Sequence, residues 1–149
     1  MERYRAIIIK DGKIALMERH KQGRHFFAFP GGGRERGETP SQCCEREVLE
    51  EFGIKVKAKN MIYEIYQNGT KQGFFVCDWL EGEIHKTGAE EYTQKDVNVS
   101  GTYEPGLFDL SEIENLPVKP QEILEELLKD LKQNKNLDFE TKVIQVENM

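Results

Sequence analysis

Apolar residues in this chain come in short runs bounded by turn residues, with two stretches of helical spacing set among them. Residues 3–10 (RYRAIIIK) and 13–19 (KIALMER) flank Asp11-Gly12, a strong hairpin signal, and are predicted to be two antiparallel strands. A polar loop at 20–24 precedes a short strand at 25–29 (HFFAF), which leads into the glycine run after Pro30. Residues 54–58 and 61–66 read as extended, Asn68-Gly69 as a turn, and 73–80 (GFFVCDWL) as a central strand. The polar, acidic stretch 82–101 reads as a long loop or weak hairpin. Extended chain returns at 102–110 (TYEPGLFDL), broken at Pro105-Gly106, and a short helical turn starts at Ser111. Beyond Asn134 the pattern weakens, with residues 142–146 able to add an edge strand.

The first helical stretch is framed on both sides. Thr39-Pro40-Ser41-Gln42 supplies an N-cap, a proline at the first helical position and a capping-box glutamine, while Gly53 follows the last turn. Cys44, Val48 and Phe52 form an apolar stripe along it. The second helix runs from Pro120 to about Gln133, with Ile123, Leu124, Leu127, Leu128 and Leu131 on one side. Strands interrupted by one capped helix and closed by another predict a single α+β layered domain over residues 1–149.

Composition narrows the function classes. Charged residues are 32% and hydrophobic ones 38%, as expected of a water-soluble globular chain. A formal net charge of −6 disfavours a general nucleic-acid binder while leaving room for a nucleotide bound through metal ions. No apolar run reaches membrane-spanning length and the N-terminus carries no signal-peptide pattern. Cys43, Cys44 and Cys77 make an odd set without a disulfide pattern, which points to a reducing cytoplasm, with Cys44 and Cys77 as core fillers.

Candidate chemistry concentrates on the first helix. Glu47, Glu50 and Glu51 share one face at i, i+3 and i+4, where like charges repel by roughly 0.2–0.5 kcal/mol per pair. Glu50 and Glu51 also lie in the last turn, where the helix dipole favours cations. Arg46 can pair with Glu50, but one arginine does not neutralise three carboxylates. Taken alone, the triplet fits a solvated acidic face or a site for a hard cation such as Mg²⁺ or Mn²⁺. Gly31, Gly32 and Gly33 read as a glycine-rich loop feeding the helix, which allows backbone to approach a ligand closely, as a cradle for a metal–phosphate group requires.

Gly32, Glu38, Arg46, Glu47, Val48, Glu50, Glu51, Gly53 and Ile54 match the spacing G-x5-E-x7-R-E-U-x-E-E-x-G-U, with U a bulky aliphatic residue, without gap or substitution. This resembles the signature of the Nudix hydrolases. The resemblance implies an α/β/α sandwich with a mixed β-sheet and a divalent-metal-dependent pyrophosphohydrolase. Its substrate would be a nucleoside diphosphate linked to another moiety: a nucleoside triphosphate, dinucleoside polyphosphate or nucleotide sugar. It implies Mg²⁺ or Mn²⁺ held by Glu47, Glu50, Glu51 and the Gly32 carbonyl, with Arg46 orienting the glutamates and Glu38 pairing with Arg46 or supporting the metal shell. Glu50 or Glu51 would act on the attacking water. Family members often add a carboxylate from a loop downstream; Glu104, beside the Pro-Gly break, is favoured here over Glu90 and Glu91.

Outside that motif, Arg24, Arg34 and Arg36 are candidates to hold an anionic substrate, together with Arg19. Phe26, Phe27, Tyr63, Tyr66 and Tyr103 are candidates to stack on a nucleobase, though aromatics in strands are usually core. His25 is expected to be packed or in a loop rather than catalytic. Two other readings compete: a catalytically silent Nudix-like nucleotide sensor, against which the intact glutamates argue, and an enzyme acting on the 5′ end of RNA. Residues 69–72, where substrate-selective family members often carry a marker, hold neither proline nor tyrosine and do not choose a substrate. Either a monomer or a homodimer is compatible with the sequence.

Overall fold

The computed structural model describes residues 1–89, 101–133 and 136–146. Ten strands and two helices make up the ordered framework among them. The strands are β1 Glu2–Ile7, β2 Ile9–Lys10, β3 Lys13–Lys21, β4 Arg24–Ala28, β5 Gly31–Gly33, β6 Lys55–Gln67, β7 Thr70–Glu81, β8 Thr102–Asp109, β9 Val118–Lys119 and β10 Lys142–Ile144. The helices are α1 Pro40–Phe52 and α2 Gln121–Gln133, and a short 3-10 turn at Ile113–Asn115 precedes β9.

The strands form two sheets. One is mixed, in the order β10-β6-β7-β1-β5, with β1 parallel to β7 and antiparallel to β5. In the other, β3 is the spine, flanked by β8 along one edge and by β2 and then β4 along the other, with β9 outside β4. Each sheet side carries its own core. Tyr4, Ala6, Ile8, Ala15, Met17, Val56 and Phe75 pack with Cys43, Cys44, Val48 and Phe52 of α1. Ile7, Ile14, Leu16, Phe27, Ile62 and Phe74 pack with Ile123, Leu124 and Leu127 of α2. Alternation along each strand feeds the two cores at once, which yields the expected α/β/α sandwich. No described helix is long and apolar enough to cross a membrane.

Four local expectations are corrected. Residues 3–10 do not form one strand of a simple hairpin: Glu2–Ile7 joins the mixed sheet, and only Ile9–Lys10 pairs back on β3. The turn itself is as expected, with Asp11 and Gly12 at φ 52° and 74°. The two extended segments after α1 are one strand, β6, whose register against β7 shifts at bulges between Ala58 and Asn60 and between Met61 and Tyr63. Pro105-Gly106 does not break the chain; β8 runs through it because Pro105 lies on an edge strand, where a missing N–H is tolerated. Finally, Gly31–Gly33 is a paired strand rather than a loop, held against Arg3, Tyr4 and Arg5. Of the stretch 82–101, residues 82–89 are irregular and 90–100 lie outside the described residues.

Candidate active site

Helix α1 is positioned by its own sequence. Thr39 Oγ1 accepts from the Gln42 amide at 3.1 Å and Gln42 Oε1 accepts from the Thr39 amide at 2.9 Å, completing the capping box. At the other end Gly53 takes φ 71°, and its N–H donates to the Leu49 carbonyl at 3.0 Å. A Cβ on Gly53 would fall 2.1 Å from the His85 ring, so only glycine lets segment 82–89 seal the helix end. The Phe52 carbonyl accepts from the His85 amide, and the Glu50 carbonyl from the Thr87 hydroxyl.

This framing places Glu47, Glu50 and Glu51 at the rim of the helix, and Arg46 ties the first two to Glu38. Its Nε and Nη2 grip both oxygens of Glu38 at 2.6 and 3.0 Å, a bidentate pair. Its Nη1 donates to Glu47 at 3.0 Å and to Glu50 at 3.1 Å, and Nη2 also reaches the Gly33 carbonyl at 3.0 Å. The bond to Arg46 holds the Glu38 carboxyl below the ordinary carboxylate range, and Glu38 in turn raises the Arg46 guanidinium. Both oxygens of Glu38 are thus engaged by Arg46.

Strand β5 supplies the facing edge. A Cβ on Gly32 would lie 2.6 Å from the Glu47 carboxyl carbon, so the carboxylate occupies the space any larger residue would fill. The Gly31 amide donates to Glu51 Oε1 at 3.0 Å. Beneath both carboxylates runs Arg5, whose Nη1 donates to the Phe29 carbonyl and whose Nε donates to Gln72. Burial lowers the Arg5 pKa, an effect countered mainly by the charge of Glu51 and then of Glu47.

Glu47 and Glu51 open onto a cavity of about 280 Å³ walled by Arg3, Arg5, Arg19, Phe26, Tyr103 and the glycine strand. Across from the carboxylates the Arg19 guanidinium lies 3.7 Å from the Tyr103 ring centre and 5.7 Å from that of Phe26. Arg19 Nε also donates to the Thr102 carbonyl at 2.9 Å. A larger cleft of about 740 Å³ lies beside α2, lined by residues such as Leu124 and Lys129, but none of the motif carboxylates borders it. The small cavity is the better candidate because it gathers opposed carboxylates, cations and rings.

The remaining predicted residues fall in different places. Arg34 pairs with Glu2 at 3.0 Å and donates to the Glu38 carbonyl, bracing the loop before α1, and Arg36 is exposed on that loop. Neither lines the cavity. Arg24 stands 5.8 Å from the Phe26 ring in a neighbouring cleft with His25, Pro117 and Lys119. Glu104 is not brought into the cavity. It pairs in register with Glu18, on the sheet face opposite Tyr103, and is half exposed in an ion pair with Lys86. Glu90 and Glu91 lie outside the described residues. Of the aromatic candidates, Phe27 and Tyr63 are core residues and Tyr66 is exposed.

Arg3 and Arg5 were not singled out from the sequence. Their signal was a pair of cations at i and i+2 leading into an apolar run, which puts both on one face of the strand.

The donor set fits a hard divalent cation: Glu47 seated against Gly32, Glu50 and Glu51 beside it, and no nitrogen or sulfur ligand among them. The cradle that a Cβ at Gly32 would obstruct is the structural observation behind that fit.

Known proteins resemble this chain in sequence and in fold. The NUDIX domain profile matches residues 2–137. The chain is 28% identical over 131 residues to an ADP-ribose pyrophosphatase of Methanocaldococcus jannaschii, covering 83% of this chain and 70% of that protein. It is 44% identical to an RNA pyrophosphohydrolase of Aeromonas hydrophila over 46 residues only, 31% of this chain and 25% of that one. The fold of a Streptococcus suis ADP-ribose pyrophosphatase superposes with a TM-score of 0.67 at 20% identity, covering 97% of this chain and 98% of the other. A complete motif, seated on a matching fold and spanned by the domain profile, places this chain in the Nudix hydrolase family.

Proposed function

We propose that the chain is a divalent-metal-dependent pyrophosphohydrolase that cleaves a nucleoside diphosphate linked to another moiety by attack of water on phosphorus. The observation that carries this reading is the single cavity in which Glu47 and Glu51 face Arg5, Arg19 and Tyr103.

Each wall then has a task. Glu47, Glu50, Glu51 and the Gly32 carbonyl would hold Mg²⁺ or Mn²⁺, which when bound neutralises phosphate oxygens and lowers the pKa of water. Arg5 and Arg19 bind the diphosphate, and Arg46 positions the glutamates through Glu38 and the Gly33 carbonyl. Tyr103 and Phe26 offer ring faces for a base. The proton of the attacking water passes to Glu50 or Glu51, both less buried than Glu47. Glu104 has no part in this assignment.

An ADP-ribose-like compound is the first substrate to test, because the archaeal ADP-ribose pyrophosphatase aligns with 83% of the chain while RNA pyrophosphohydrolases align with 31% to 58% of it. Three free, buried cysteines fit a reducing compartment, and the cytoplasm is the proposed location. The test is a panel of ADP-ribose, dinucleoside polyphosphates, nucleoside triphosphates and 5′-triphosphorylated RNA, each with Mg²⁺ or Mn²⁺ and with excess chelator. Products cut between the phosphates of a small nucleotide, and only with metal, support the reading. Turnover that persists in excess chelator, or is confined to RNA, overturns it.

A further inference from the structure

A second group of ligand-forming side chains sits on the opposite face of the same hairpin. In β3 and β4, Arg19 and Phe26 point to the cavity, so alternation sends Glu18, His20 and His25 to the other side. His20 and His25 are directly opposed in the strand register, and Glu18 is two residues before His20. The imidazole rings stack with centroids 4.2 Å apart and planes 3° from parallel, and His25 Nε2 lies 2.7 Å from Glu18 Oε2. One donor atom from each of the three lies within 4.8 Å of the others.

Two imidazoles and one carboxylate are a different donor set from the all-oxygen group on α1. Imidazole nitrogen suits Zn²⁺ and the neighbouring late first-row ions, whereas Mg²⁺ demands oxygen. Around a tetrahedral ion with bonds of about 2.0–2.1 Å the donors must draw closer than they stand here. His20 and His25 are exposed, so side-chain rotation can bring the rings together. We propose that Glu18, His20 and His25 form a surface site for Zn²⁺, with its remaining coordination position open to water. An ion there would clasp β3 to β4 directly behind Arg19 and Phe26. The inference is independent of the reading of the catalytic cavity, since it uses none of its residues.

The test uses the full chain carrying Glu47→Gln and Glu51→Gln, titrated with Zn²⁺ by calorimetry in excess Mg²⁺. The expected result is one Zn²⁺ per chain that Mg²⁺ does not displace. Adding His20→Ala or His25→Ala should weaken binding by about tenfold or more, given that even outer-shell changes at metal sites have effects of that size. His85→Ala, which removes a histidine bonded to the Glu83 carbonyl, should leave binding intact. In proton NMR of the unsubstituted chain, imidazole signals of His20 and His25 should shift with substoichiometric Zn²⁺ while those of His85 stay. That readout does not depend on any variant folding. Binding indifferent to both histidine substitutions, displacement by Mg²⁺, or a shift of His85 alone would overturn the site and leave only a hydrogen bond between Glu18 and His25.

Discussion

Two acidic clusters on the two helices look alike in composition and differ in use. On α2, Asp130 is buried and accepts from the Tyr63 hydroxyl at 2.6 Å and from Lys142 Nζ at 2.8 Å, while the same ammonium reaches Glu126 at 3.0 Å. Burial, and then the bond to Asp130, raise the Tyr63 hydroxyl's pKa. The cluster ties α2 to β6 and β10, with the buried carboxylate answered by donors from two other elements. On α1, one guanidinium serves Glu38, Glu47 and Glu50, and Glu51 takes a backbone amide from β5. There the carboxylates outnumber the cation that holds them and two of them border a cavity. Acidic residues alone therefore identify neither a site nor a brace. What separates them is whether the surrounding protein completes the charge or leaves it facing open space.

The contrast is sharpest in activity. Glu51→Gln, nearly isosteric, should lower kcat by about a hundredfold or more, whereas Asp130→Asn should leave kcat unchanged. Comparable losses from the two substitutions in steady-state kinetics would erase the distinction. Gly32→Ala comes next. Its methyl would displace the Glu47 carboxylate and should weaken Mn²⁺ affinity by about tenfold or more, read by calorimetry on the folded variant. Unchanged affinity would mean that the cradle does not position Glu47.

On the α2 side the expected loss is in stability. Tyr63→Phe removes a donor to a buried carboxylate and should lower unfolding free energy by about 1.5–3 kcal/mol in urea titrations, with kcat preserved. A variant as stable as the parent would show that Lys142 alone satisfies Asp130.

The smallest effect is one of pH. Because Arg46 holds the Glu38 carboxyl below its usual 4.5, the contribution of the pair is complete above that value and is lost as pH falls through the lowered folded pKa. The stability gap between the parent chain and Glu38→Gln should therefore be largest near neutral pH and close on acidification. A gap that widens with acid would reverse the assigned sign.

Much of the carboxylate-bearing helix was readable along the chain because its determinants are local. Thr39, Pro40 and Gln42 start α1, Gly53 ends it, and helical periodicity alone puts Glu47, Glu50 and Glu51 on a common side. The partners they face were another matter. Arg5 meets Glu51 only because β1 pairs with β5, and Arg19 meets Tyr103 only because β3 pairs with β8, far apart in sequence. Strand alternation then chose between neighbours: Tyr103 was turned to the cavity and Glu104 to the opposite face, though both stand at the same turn-like tetrapeptide. The split of residues 3–10 between two sheets has the same origin, since a period-two run states that a strand exists but not which edge will accept it. The sequence by itself determined the carboxylate helix and its glycine cradle through contacts a few residues long. Only the tertiary structure decided which cations and rings oppose them, because that choice rests on long-range pairing and on the face each strand residue is left to occupy.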